Sequence, residues 1–224
     1  MTDRDPDDAE INVDDAYMLE TPDDNRRLYA RWAESYDESF VAPMGYVYHE
    51  HVVAAFLDAG GSAGGAVLDV GCGTGVVGVA LGDMGERTVD GVDISPEMIA
   101  VARTKTTVFG ELAYRDFYVA DLTMPLDIPD DSYTGIISVG TFTHGHLPPD
   151  PLRELVRVAV PSAVCAIGIN AQHYAEMGFD RMFAELSADG RISSPMLIDV
   201  AIYESADDAH AGDRANVAMF QVLA

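Results

Sequence analysis

Lysine is nearly missing from this 224-residue chain: Lys105 is its one copy, and Lys and Arg together number 13 against 38 Asp and Glu. Beyond the Arg26–Arg27 pair no basic cluster occurs. A stripe of positive charge that would neutralise phosphates is therefore missing, and nucleic acid is not an expected partner. Cysteine is scarce as well. Cys72 and Cys165 sit in separate apolar contexts and read as two reduced thiols. There is no CxxC or HExxH spacing, so no metal is expected. Apolar runs stay well short of the roughly 20 residues of a membrane span. The first residues, MTDRDPDDAE, lack the apolar stretch of a secretory signal, and a cytoplasmic, membrane-free protein is expected.

Acid is what the chain has in excess. Its formal net charge is -25. Dense surface carboxylates hold water and keep molecules apart, and concentrated salt screens their repulsion, so the composition fits a high-salt habitat. A hydrophobic fraction of 48% is enough for one sizeable core, and the length suits a single α/β domain. The sequence shows no internal repeat. Oligomeric state is left at monomer or homodimer.

Residues 1–22 are acidic and unpatterned and read as a flexible tail. Residues 23–60 read as a helical lid. Asp23, Asp24 and Asn25 suit a helix start, Leu28, Trp32 and Tyr36 recur on one helical face, and a second helix carries Tyr48, Val52, Phe56 and Leu57 until GGSAGG ends it. Residues 66–224 alternate strands and helices. Strands are expected at 66–70, 88–93, 114–119, 133–139, 163–169, 196–205 and 216–223, with helices after the first and second and near 151–160 and 174–188. That pattern is a doubly wound, Rossmann-like, seven-strand sheet, mostly parallel, with an antiparallel last strand.

The segment Val67-Leu68-Asp69-Val70-Gly71-Cys72-Gly73-Thr74-Gly75 concentrates the chemistry. Its glycines allow a tight turn and close backbone approach to a ligand, ahead of a helix with free N–H groups. Asp69 just before the turn suits a cationic ligand better than a phosphate. S-adenosylmethionine, with its sulfonium, ammonium and carboxylate, answers that description. Gly73-Thr74-Gly75-Val76-Val77-Gly78 also fits G-x-G-x-x-G, which keeps a nicotinamide enzyme open, although Gly71 already ends the strand. Asp93, about 20 residues after the loop, is placed to accept from ribose hydroxyls. Ile94 and Met98 are placed to pack on a base, and Asp121 and Leu122 follow the third strand, where open α/β sheets bind ligands.

LDVGCGTG, VDISPEM, ADLTMPL and IISVGTF together resemble the class I S-adenosylmethionine-dependent methyltransferases. With the upstream YARWAESYD and VGTFTHGHL after the fourth strand, the chain is similar to the Williams–Beuren-region methyltransferase-like family over about residues 25–190. The resemblance implies that Asp69, Gly71, Cys72, Gly73 and Gly75 cradle the methionyl part, Asp93 the ribose and Asp121 the adenine, with Tyr36 and Val139 as further cofactor neighbours. One departure stands out: these enzymes often read LKPGG before the fifth strand, where this chain has Val160-Pro161-Ser162-Ala163.

On the acceptor side, His144 and His146 follow the fourth strand and are the candidates for a base or an orienting group. Trp32, Thr141, His144 and Asn170 are expected to border the acceptor, and the lack of a docking insertion favours a small molecule. Three readings stand at this point: a methyltransferase, an NAD(P)-dependent oxidoreductase, and a non-catalytic S-adenosylmethionine-binding protein. The charge reading is tested by dilution. At very low salt the chain is expected to lose structure, and unchanged circular dichroism and melting there would refute it.

Overall fold

From residue 66 onward each buried apolar run becomes a strand of one sheet in the computed structural model, which describes residues 11–61, 64–85, 87–204, 210 and 212–223. Residues 1–10 of the expected tail, part of GGSAGG and the last residue of the expected 196–205 strand lie outside these. The strands are β1 Ala66–Val70, β2 Thr88–Asp93, β3 Asp116–Val119, β4 Tyr133–Phe142, β5 Ala159–Asn170, β6 Met196–Ala201 and β7 Arg214–Gln221. Their order is β3-β2-β1-β4-β5-β7-β6. All neighbours pair in parallel except at β7, which runs antiparallel to both β5 and β6. The chain leaves β1 in one direction to β3, then returns to build β4 on the other side of β1. This reversal opens a crevice at the carboxyl ends of β1 and β4, the place where open α/β sheets bind ligands.

Both faces of the sheet are covered, so the central strand has no polar face. Val67, Leu68, Asp69 and Val70 are all fully buried. Leu68, Val70 and Ile136 belong to one core, under helices α6 Leu152–Val158 and α8 Phe179–Ala188. Val67, Val89 and Ile137 belong to the other, under α3 Tyr48–Asp58, α4 Val76–Asp83 and α5 Pro96–Ala102. Ser95 caps α5 by accepting from the Met98 amide, with Pro96 in the first turn, as its sequence indicates.

Five expectations are corrected. Residues 11–22 are not a tail: they form α1 Val13–Tyr17 and the approach to α2 Pro22–Trp32. Asn12 and Asp15 make a capping box, and Val13 and Ala16 bury against the core that includes Trp32 and Phe40. Thr21, rather than Asp23, Asp24 or Asn25, caps α2. That helix stops at Trp32, so Tyr36 lies beyond it, before a π-helical turn Asp37–Val41. The rings of Trp32 and Tyr36 nevertheless meet, 4.9 Å apart. The expected 174–188 helix is two, α7 Ala171–Met177 and α8, because Gly178 is left-handed at φ 79°. Finally, β5 begins before Pro161, and the presumed turn is an irregularity inside the strand where Ser162 takes φ 73°. A glycine suits that conformation without strain, which explains why the departure from LKPGG is tolerated only as a local bulge.

The N-terminal cover is latched to the sheet through Asp37. Its carboxylate accepts from Thr74 Oγ1 at 2.6 Å and pairs with the ammonium of Lys105 just beyond α5. Both partners are about two-thirds buried, so solvent screens this pair less than a surface one. Asp37→Ala strands Lys105 and frees Thr74. It is expected to cost about 1–2 kcal/mol in urea unfolding, and an unchanged midpoint would refute the latch.

Candidate active site

The crevice floor is the glycine loop after β1. Gly71 turns at φ 71° and its amide donates to the Val92 carbonyl at 2.8 Å. Thr141 donates to the Val70 carbonyl at 2.9 Å, and a Cβ on Gly71 would fall 2.0 Å from Thr141 Oγ1. Only glycine permits that approach. Gly73 is also left-handed, at φ 51°, but its Cβ would meet nothing within 4 Å, because that side faces the open cleft. Gly75, at φ 92°, heads α4 against Ala102 and Tyr114.

Asp69 lies beneath this loop and does not line the cleft. Its Oδ2 accepts from the Tyr114 hydroxyl at 2.6 Å, and that hydroxyl accepts from the Gly78 amide at 2.9 Å. Its Oδ1 has no hydrogen-bond partner among the described residues. Burial pushes the carboxyl up to about 7, against the opposing pull of the Tyr114 hydrogen bond. Cys72 and Gly75 likewise support the loop from outside the cleft lining.

Asp93 ends β2 inside the cleft. Gly73 N donates to its Oδ2 and Ser95 N to its Oδ1, both at 2.9 Å, which fixes the carboxylate plane. Burial raises its pKa, and the Ser95 and Gly73 amides pull the other way. Ile94 and Met98 continue the wall. Across the cleft Asp121 accepts from the amide and hydroxyl of Thr123 through Oδ1, at 2.9 and 2.7 Å. Leu122, Val139, Thr141 and Tyr36 complete the set of expected residues that the fold brings to this cavity of about 780 Å³.

A second cavity, of about 510 Å³, adjoins the first. Tyr29, Tyr36, Tyr46, Gly140 and His146 line both and form the boundary. Trp32 and Asn170 line the second cavity and not the first, and Asn170 also borders an outer cavity. Trp32 donates to Ser39 Oγ at 2.9 Å, and Asn170 Oδ1 caps α7 by accepting from the Gln172 and His173 amides.

The two histidines separate. His146 stands at the boundary. Its Nδ1 lies 2.7 Å from the His144 carbonyl oxygen, which only accepts, so Nδ1 carries the proton. Nε2 is then an acceptor, 2.9 Å from the Tyr29 hydroxyl, which donates to it. Burial lowers the pKa of His146 to about 4, opposed by the His144 carbonyl, so the ring is neutral at pH 7. His144 instead lines an outer polar cavity with His210, Asp213 and Arg214, and its rings touch Tyr17 and His173 at 5.6 Å.

Sequence reasoning missed Tyr46, Tyr48, Asn25, Gly140 and Tyr17, all of which line one cavity or the other. The aromatic cluster GYVYHE was the available signal for Tyr46 and Tyr48. Asn25 ties α2 to the loop after β4 by donating to the Gly145 carbonyl at 2.9 Å. Among the described residues no cluster of His, Cys, Asp or Glu is arranged to hold a metal ion, and no helix is long and apolar enough to cross a membrane.

Residues 67–162 match a family model described as a methyltransferase domain. Methyltransferase-like protein 27 of Homo sapiens is 30% identical over 141 residues, a match covering 62% of this chain and 55% of that protein. A ribosomal protein L11 methyltransferase of Photorhabdus laumondii is 31% identical over 117 residues, covering 51% of this chain and 36% of that protein. The chain thus spans about half or less of the length of these curated relatives. Magnesium protoporphyrin IX methyltransferase of Synechocystis PCC 6803, solved with bound S-adenosylmethionine, aligns at a TM-score of 0.57 over 96% of this chain and 86% of that one. At 17% identity, that likeness is one of fold.

The His146 environment has a consequence for stability. Folding lowers its pKa from the ordinary 6.5 to about 4. The stabilisation is therefore complete above pH 6.5 and is lost as the pH falls toward 4. Between pH 7 and 5 it is worth up to about 2 kcal/mol. His146→Gln, which keeps a donor and an acceptor, is expected to flatten that part of the urea-derived stability profile. A variant profile parallel to the parent's would refute the assignment.

Proposed function

We propose that this chain, whose residues 67–162 match a family model described as a methyltransferase domain, is a class I S-adenosylmethionine-dependent methyltransferase that transfers the methyl group to a small molecule held in the second cavity. The observation that carries the cofactor reading is the charge of the first cavity. Asp93 and Asp121 line it, and no Lys or Arg stands among its described lining residues. A diphosphate would meet two carboxylates and no countercharge, and the Gly73 amide that could face a phosphate donates to Asp93 instead. A sulfonium, a diol and an amino group are suited to such walls. This disfavours the nicotinamide reading on physical grounds.

The residues fit the cofactor in detail. Gly73 leaves open space where a side chain would intrude. The lone pairs of Asp93 not used by Gly73 and Ser95 would accept from ribose hydroxyls, and Asp121 from the adenine amino group. The Asp69 Oδ1, without a partner among the described residues, lies behind the loop that would hold the methionyl part, and a cation there would favour its ionised form. When bound, S-adenosylmethionine supplies an electrophilic methyl carbon on a cationic sulfur.

The protein's own part in the reaction is positioning, exclusion of water and proton transfer. The aromatic cover formed by α1, α2 and the π-helical turn closes the second cavity over the boundary. At that boundary Tyr29 offers its oxygen to an acceptor O–H or N–H, and passes its own proton to Nε2 of His146. The ring then carries a proton on each nitrogen, with Nδ1–H still held by the His144 carbonyl. The proton given up by the acceptor is thus held on a buried ring kept neutral until then, which would balance the positive charge that the cofactor loses on methyl transfer. The enclosed chamber favours a small acceptor, although one relative is named for a ribosomal protein.

S-adenosylhomocysteine is expected to raise the melting temperature in a saturable way, while NADH leaves it unchanged; the reverse result would overturn the cofactor assignment. Asp121→Ala is expected to weaken S-adenosylhomocysteine about tenfold by calorimetry, the loss of one hydrogen bond to a charged group, and an unaltered affinity would remove Asp121 from the site.

A further inference from the structure

The second cavity is walled by rings. Trp32, Tyr36, Phe40, Tyr46 and Tyr203 form a continuous chain of contacts, with centroids 4.9 Å apart from Trp32 to Tyr36 and from Tyr36 to Phe40, 5.3 Å from Phe40 to Tyr46 and 5.9 Å from Tyr46 to Tyr203. Among the described lining residues none is Asp, Glu, Lys or Arg. The histidine of the wall, His146, has both nitrogens engaged. A hydroxyl that does stand at the boundary is that of Tyr29, which lines both cavities and donates to His146 Nε2 at 2.9 Å. Its oxygen keeps lone pairs that can accept a further hydrogen bond.

Each observation restricts the occupant. An anion or an ammonium group would give up its hydration here for no countercharge. Ring faces attract cations, but a cationic acceptor would share the boundary with the sulfonium charge and be repelled by it. Ring walls favour a flat unsaturated molecule through offset and edge-to-face contacts over an aliphatic one of equal area. The Tyr29 oxygen, a donor to His146 and still able to accept, asks for one O–H on that molecule. The geometry points to an uncharged aromatic molecule bearing a hydroxyl group, a phenol in the broad sense, as the occupant of this chamber. The assignment rests on the methyltransferase reading above only for the role of acceptor.

The test uses the full chain saturated with S-adenosylhomocysteine and titrated by calorimetry with naphthol, naphthalene, naphthoate and trimethylnaphthylammonium. Naphthol is expected to bind, naphthoate to bind about tenfold more weakly or worse, and trimethylnaphthylammonium to do the same when S-adenosylmethionine replaces S-adenosylhomocysteine, so that the sulfonium is present. Thr143, which lines this cavity and not the first, supplies one variant. Thr143→Asp is expected to weaken naphthol about tenfold with S-adenosylhomocysteine affinity unchanged, and that second affinity reports that the variant is folded. Tyr29→Phe is expected to weaken naphthol about fivefold and to leave naphthalene unaffected. Either charged probe matching naphthol under those conditions, a lack of naphthol binding, or indifference of naphthol to both variants overturns the assignment while leaving the cofactor reading intact. Failure of the parent chain to bind S-adenosylhomocysteine overturns both.

Discussion

Carboxylates taken inside this chain must be satisfied with very few cations, and the way each is satisfied sets the architecture of the site. Asp90, fully buried, has the usual solution: Arg115 reaches it from the surface with two hydrogen bonds and Tyr133 adds a third. Asp37 takes the sole lysine, Lys105, and a threonine hydroxyl. Asp69 and Asp93 receive no cation in the described structure. Asp69 leans on the Tyr114 hydroxyl, and Asp93 on two backbone amides. Held by neutral donors alone, both have their pKa raised by burial, Asp69 to about 7. A cationic ligand in the crevice, as proposed above, would favour the ionised form of both acids.

The two cavities divide the work between different chemistries on either side of one set of shared residues. The first is built from loops at the carboxyl ends of strands, with backbone and carboxylates as its recognition elements. The second is built by the N-terminal cover, with rings as its recognition elements. Tyr29, Tyr36, Tyr46 and His146 belong to both. In the proposed reading, cofactor recognition sits on the sheet, while acceptor recognition sits on a segment held to the sheet by the Asp37 latch and by Asn25.

Much of this was legible in the sequence, for definable reasons. Strands β1 to β5 announce themselves because a sheet covered on both faces needs uninterrupted apolar runs, and Gly71, Gly73, Asp93 and Asp121 sit at fixed offsets from those runs. The acceptor side was less legible because its residues are contributed by segments with no common period. Tyr46 precedes α3, Tyr17 ends α1, and Gly140 interrupts β4 at φ 75°. The helix α1 was hidden because Val13 and Ala16 are two small apolar residues in an acidic stretch, and packing rather than propensity holds them. His144 and His146 are two residues apart around a left-handed Gly145, so their side chains diverge, one to the boundary and one to the outer cavity. Only the backbone geometry separates their roles.

Trp32 is the chain's single tryptophan, and it stacks near-parallel to Tyr29 at 6.1 Å on the wall of the acceptor chamber. Its emission is therefore a built-in local reporter. In most proteins intrinsic fluorescence averages over several indoles at unrelated depths. Here the indole emission, excited beyond the tyrosine band, originates one ring away from the hydroxyl that bridges to His146, so a change in its colour or lifetime reports on the chamber wall.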